Sequence, residues 1–150
     1  MLPMKAVRLA LGELLAADAA TLAPASDPNA MALIINNFAP SEDLVAADLD
    51  LATFTGSTPI PGATGAQNVG IDPVTLAQVI EIKPPIGGYR WEATDGVDLP
   101  QTIYGYGLFN EALSTVLAVQ ALPTPITLTE AGQFIDIDSA TLTFVQQPLS

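Results

Sequence analysis

The chain has 150 residues, no cysteine and no histidine, and sixteen Asp and Glu against four Lys and Arg give it a formal charge of −12. A length of this order suits one domain burying about 70% of its unfolded surface, while the missing thiol and imidazole exclude a disulfide framework, a Ser-His-Asp or Cys-His arrangement and an ordinary zinc site. The four bases, Lys5, Arg8, Lys83 and Arg90, are scattered, which excludes a nucleic-acid footprint and disfavours an anionic membrane surface.

Residues 3–20 read as a helix. Val7, Leu11, Leu14 and Leu15 follow the spacing of one helical face, and Pro3 suits a first turn. This segment, taken as residues 1–22, either packs on the domain's own sheet or forms an arm that docks on a neighbouring subunit. Glu13 and Asp18 interrupt its apolar run, so it makes a poor signal sequence, and no apolar run approaches the ~18 residues of a membrane span. The stretch LAPASDPNA has loop chemistry, and residues 23–150 form the second unit, a β-domain. Met31 to Ile35 is a short buried strand ended by Asn36, Asn37 and Pro40. Residues 41–48 read as a helical turn or surface loop that Ser41 can cap. Leu49 to Thr55 reads as a strand closed by Gly56. Residues 56–72 lack periodicity, as an interaction loop or a tolerated excursion would.

From Val74 the pattern is one of strands. Val74 to Lys83 is stopped by Pro84 and Pro85; Tyr89 to Thr94 leads into the acidic turn TDGVD. Then come residues 101–109, Ser114 to Leu122, a turn bounded by Pro123 and Pro125, Ile126 to Thr129, Phe134 to Asp138 and Ala140 to Gln146. Short strands at this spacing predict a mainly-β fold, an antiparallel β-sandwich or small barrel, behind the N-terminal helix. Strict alternation along PQTIYGYGLF places Ile103, Gly105, Gly107 and Phe109 on one face and Tyr104, Tyr106 and Leu108 on the other. The tyrosine face is either a stacking or contact patch or is packed beneath the long loop or the helix. Trp91 serves as a core or interface anchor. Val7, Leu11, Trp91, Tyr104 and Tyr106 are the candidate interface residues.

Carboxylates remain as candidates for chemistry. Asp136 and Asp138 flank Ile137, Asp48 and Asp50 flank Leu49, and Asp95 and Asp98 share a turn with Gly96. None sits in a D-x-[DN]-x-[DN]-G loop, so they read as solvated faces, with calcium at a loop or subunit interface as the alternative. A carboxylate hydrolase would draw on Glu81, Glu92 and Tyr104 beside Trp91. GATGAQNVG carries no lysine and opens no helix, so it is not a phosphate loop. The expectation is a protein that is not an enzyme, with no catalytic residue, cofactor or metal.

Several motifs fall in a recognisable order: Phe54-Thr55-Gly56, then Pro100 to Tyr106 (PQTIYGY), then the apolar Thr115 to Ala121, then Pro125-Ile126-Thr127-Leu128. Together they resemble a family of small virion structural proteins of tailed bacteriophages. Ser57 follows Gly56 where that family carries an aromatic. The resemblance implies a virion role, on the capsid exterior and in the host cytoplasm before assembly, as a decoration or cement protein that self-associates and contacts the major capsid protein. It supplies no catalytic residues. Neither nucleic acid nor membrane is expected as a partner. The alternative is a tail- or fibre-type β-sandwich that binds host glycans through Trp91, Tyr104 and Tyr106.

Overall fold

A computed structural model describes residues 2–3, 29–61, 67–71, 78–82, 88–110, 112–137 and 140–144. They contain ten strands: β1 (Leu2–Pro3), β2 (Asn29–Ile34), β3 (Ile60–Pro61), β4 (Gln67–Ile71), β5 (Gln78–Ile82), β6 (Tyr89–Glu92), β7 (Gln101–Asn110), β8 (Val116–Leu128), β9 (Phe134–Ile137) and β10 (Ala140–Phe144). All pairing is antiparallel. The largest sheet runs β1-β8-β7-β2-β3; beside it are a three-stranded sheet, β10-β5-β4, and a two-stranded sheet, β6-β9. The architecture is therefore mainly β, as composition predicts. Helical structure among the described residues is one 3-10 turn at Ala46–Asp48.

At the N-terminus, Leu2 and Pro3 are not the head of a helix. They are extended and pair with Val119 and Ala118 of β8. Residues 4–28, with the rest of the expected helix and its candidates Val7 and Leu11, lie outside the described residues. The aperiodic stretch 56–72 contains the whole of β3 and β4. The expected strand from Leu49 to Thr55 is reduced to a single bridge, Leu51 opposite Ile34.

The largest departure concerns Pro123 and Pro125, which were expected to end a strand. β8 runs straight through them. Ile103 pairs with Ile126 and Gly105 with Ala121, so Tyr104 alone stands opposite Leu122–Pro125. Both prolines are exposed. Proline is tolerated where a strand bulges, because no ladder hydrogen bond is asked of its nitrogen there. The irregularity also changes which residues share a face. Ile103 packs with Leu108 and Tyr106, whereas strict alternation grouped it with Phe109, which packs on the opposite side.

The centre of the large sheet is apolar on both faces. On one side Met31 and Leu33 of β2, Ile103 and Leu108 of β7 and Ala118 and Leu128 of β8 pack against Tyr89, Trp91, Ile135 and Ile137 of β6 and β9, with Phe54 and Ala93. On the other, Ala32, Ile34, Phe109, Val116 and Val119 pack with Leu49, and Phe38, Leu44, Ala46, Leu51 and Leu113 close over them. A Cβ on Gly105 would overlap the Gln120 carbonyl and come 2.8 Å from the Phe38 ring. The bare strand is what lets the Phe38 ring approach β7 closely.

Gly105→Ala is expected to lower stability in urea unfolding by about 2 kcal/mol, through overpacking against backbone that cannot yield. Gly96, around which a Cβ would meet nothing within 4 Å, is the control. Gly96→Ala should change stability by less than about 0.5 kcal/mol.

Candidate interaction surface

The corner at Phe54-Thr55-Gly56 joins the loop preceding β3 to β6. Phe54 is buried, and Gly56 turns the chain at a φ of +107°. A Cβ on Gly56 would overlap the Glu92 carbonyl, so both backbone angle and space demand glycine here. The Thr94 N–H donates to the Thr55 carbonyl at 3.0 Å, and the Ser57 N–H to the Phe54 carbonyl at 3.0 Å. Ser57 is itself buried, and its hydroxyl donates to the Ala52 carbonyl at 2.9 Å. That bond explains a serine at this position: an aromatic ring could not satisfy the carbonyl. Trp91 Nε1 donates to the Thr58 carbonyl at 3.1 Å, and its ring stacks on Tyr89 with centroids 6.1 Å apart and planes 12° apart.

Trp91 therefore belongs to the interior. It has no exposed surface, because the inward side of β6 is the only side that can bury so large a ring. As an interface anchor it is corrected. Tyr104 and Tyr106 are half-buried, and Tyr106 packs against the Trp91 cluster. Burial pushes the Tyr106 phenol above its ordinary pKa. With Trp91 enclosed, these three residues do not form the open aromatic platform that glycan stacking requires.

On the outward side of β6 and β9 the sequence singles out Asp136 but not its partners. There Arg90 lies opposite Asp136 and Glu92 opposite Phe134. Arg90 Nε and an Nη atom donate to the two Asp136 carboxylate oxygens at 2.7 and 2.8 Å, a two-pronged pair. The same guanidinium lies 4.0 Å from the centre of the Phe134 ring. Phe134 is 50% exposed, and the pair is also open to water, at 51% for Arg90 and 39% for Asp136. The hydrogen bond from Arg90 holds the Asp136 carboxyl below the usual carboxylate range and raises the guanidinium in turn. Opposite charges at alternate outward positions of two neighbouring strands were the available signal, but it becomes usable only when β6 and β9 are known to be partners.

Two further carboxylates hold backbone. Asp48 Oδ2 accepts the Val45 N–H at 3.0 Å, and Asp95 Oδ1 the Val97 N–H at 2.8 Å. Asp138 lies outside the described residues. Among the described residues no three His, Cys, Asp or Glu side chains gather as a metal site would require, and no helix is long and apolar enough to cross a membrane. The carboxylates imagined for a hydrolase fall on different sheets, Glu81 on β5 and Glu92 on β6. Among the described residues, the exposed large apolar side chains are Val45, Val97, Ile126 and Phe134.

Asp136 should titrate below an ordinary aspartate by NMR in the native protein and return to the ordinary range in Arg90→Gln. A carboxylate held low in the folded state adds stability above its unfolded pKa and loses it as pH falls through the folded one. The wild-type advantage over Arg90→Gln should therefore shrink on acidification through that window. A second test concerns Tyr89, which is fully buried and whose hydroxyl has no hydrogen-bond partner among the described residues. Tyr89→Phe should leave stability unchanged or raise it by about 1 kcal/mol, because a buried unpaired donor is removed. A clear loss would show that the hydroxyl is satisfied in solution.

Comparison with known protein families, with curated protein sequences and with solved structures finds no match to this chain.

Proposed function

We propose that this chain is a non-enzymatic structural protein of a bacteriophage virion, a decoration or cement protein that binds the outside of the capsid and bridges neighbouring major capsid subunits. The observation that carries this reading is the part played by the motif residues. Gly56 turns the chain where any Cβ would overlap the Glu92 carbonyl. PQTIYGY runs into the central strand β7, and Pro125-Ile126-Thr127-Leu128 continues β8 past its bulge. These are framework positions that hold a sheet in one shape. Gln101 works the same way: its Oε1 accepts the Thr53 N–H at 3.1 Å and its Nε2 donates to the Thr53 hydroxyl.

Charge supports the same reading. A net charge of −12 suits the outer surface of a shell, away from packaged DNA, and keeps the free protein soluble before assembly. Binding at sites repeated by the shell's symmetry lets individually weak contacts add through effective concentration, and a homo-oligomer strengthens this further. The exposed Ile126 and Phe134 side chains are better placed to meet a neighbour than the enclosed Trp91.

Purified protein mixed with undecorated heads should co-sediment with them, saturate at a copy number set by the shell's symmetry, and raise the temperature at which the heads rupture. Failure to associate at any salt concentration or pH tested, or turnover of a substrate by the isolated chain, would overturn the proposal.

A further inference from the structure

Residues 36–50 cover one face of the large sheet without joining it. The excursion leaves β2 after Ile35 and returns at Leu51. Asn36 closes it twice with one side chain: its Nδ2 donates to the Asp48 carbonyl at 2.8 Å, and its Oδ1 accepts the Asp50 N–H at 2.8 Å. The Ile35 N–H donates to the Asp50 carbonyl at 2.8 Å just inside that closure. Within the excursion the bonds are local, Asp48 N–H to the Val45 carbonyl at 2.9 Å and Asp43 N–H to the Ser41 hydroxyl at 3.2 Å. Beyond that closure it grips the sheet by side chains, with Leu49 buried and Phe38, Leu44 and Ala46 half-buried.

Two features separate this segment energetically from the rest. None of its residues belongs to the Trp91 cluster on the sheet's other face, although its neighbours Ile35 and Ala52 pack there. It can leave without disturbing that core. In addition, Asp43, Asp48 and Asp50 place like charge on it, while freeing the segment returns the backbone entropy that its closure removed. We propose that residues 36–50 are a strap that opens as one unit, released at the Asn36 closure, while the sheet and the β6–β9 layer stay folded. The device is independent of any role on a capsid.

Amide hydrogen exchange on the full chain, read by NMR under native conditions, tests this. The Ile35, Asp48 and Asp50 amides should exchange through one shared opening, about tenfold or more faster than the paired amides at the centre of β7 and β8. Asn36→Ala should speed those three and leave the β7 and β8 amides unchanged. Ile103→Ala, which weakens the opposite face, should do the reverse. If the three amides exchange only as fast as β7 and β8, or if both variants shift every amide alike, the strap does not open separately and the proposal fails.

Discussion

The double-sided burial of the central strands is the constraint from which the rest of the structure follows. Met31 and Leu33 face one way along β2, Ala32 and Ile34 the other, and all are buried. Such a strand cannot leave a face to water without losing roughly 1.5–3 kcal/mol for each large side chain exposed. In the closed native state two covers therefore lie over it. One is the β6–β9 pair, which brings Tyr89, Trp91, Ile135 and Ile137 down onto the sheet. The other is the segment from Phe38 to Leu51, which reaches the opposite face with isolated side chains. The two differ in kind: the first is hydrogen-bonded sheet on sheet, the second an irregular chain fastened at its base.

Polar side chains serve this arrangement by fixing the irregular parts. Asn110 Oδ1 accepts the Ser114 and Thr115 N–H groups at 2.9 and 3.0 Å and so builds the β7–β8 connection, where Leu113 adopts a φ of 56°. Gln133 Oε1 accepts the Thr129 N–H at 2.7 Å and shapes the approach to β9. Thr102 and Thr127 join their hydroxyls across β7 and β8 at 2.9 Å. Each such bond contributes only about 1 kcal/mol, but each selects one loop conformation. A chain whose amides and hydroxyls are bonded in this way presents a fixed shape to its surroundings.

The parts of this fold that were legible in the sequence are those governed by local rules. β2, β6, β7 and β9 lie within a residue or two of where alternation and flanking turn residues place them, because their burial pattern is local. The path of β8 was not legible. Proline is a reliable stop only when a ladder bond is required of it, and whether Pro123 and Pro125 face such a demand depends on pairing with β7. The same holds for Ile103, whose side follows from a bulge made by the partner strand. Trp91 showed its size but not its direction. The Arg90–Asp136–Phe134 group was invisible because its members are 46 residues or nearly so apart and meet only through the β6–β9 register. For the strap, Ser41 and the acidic run announced a surface segment, but nothing local reveals that Asn36 closes it or that Phe38 finds its place over Gly105.

Trp91 is the sole tryptophan, so its fluorescence reports directly on whether β6–β9 covers the sheet. The account predicts blue-shifted emission in the native protein, near-complete resistance to quenching by acrylamide, and loss of both together with the β-sheet circular dichroism in one cooperative transition. Red-shifted, freely quenched emission from the folded protein would mean that this face of the sheet is not closed by Trp91, and the two-cover account would be wrong.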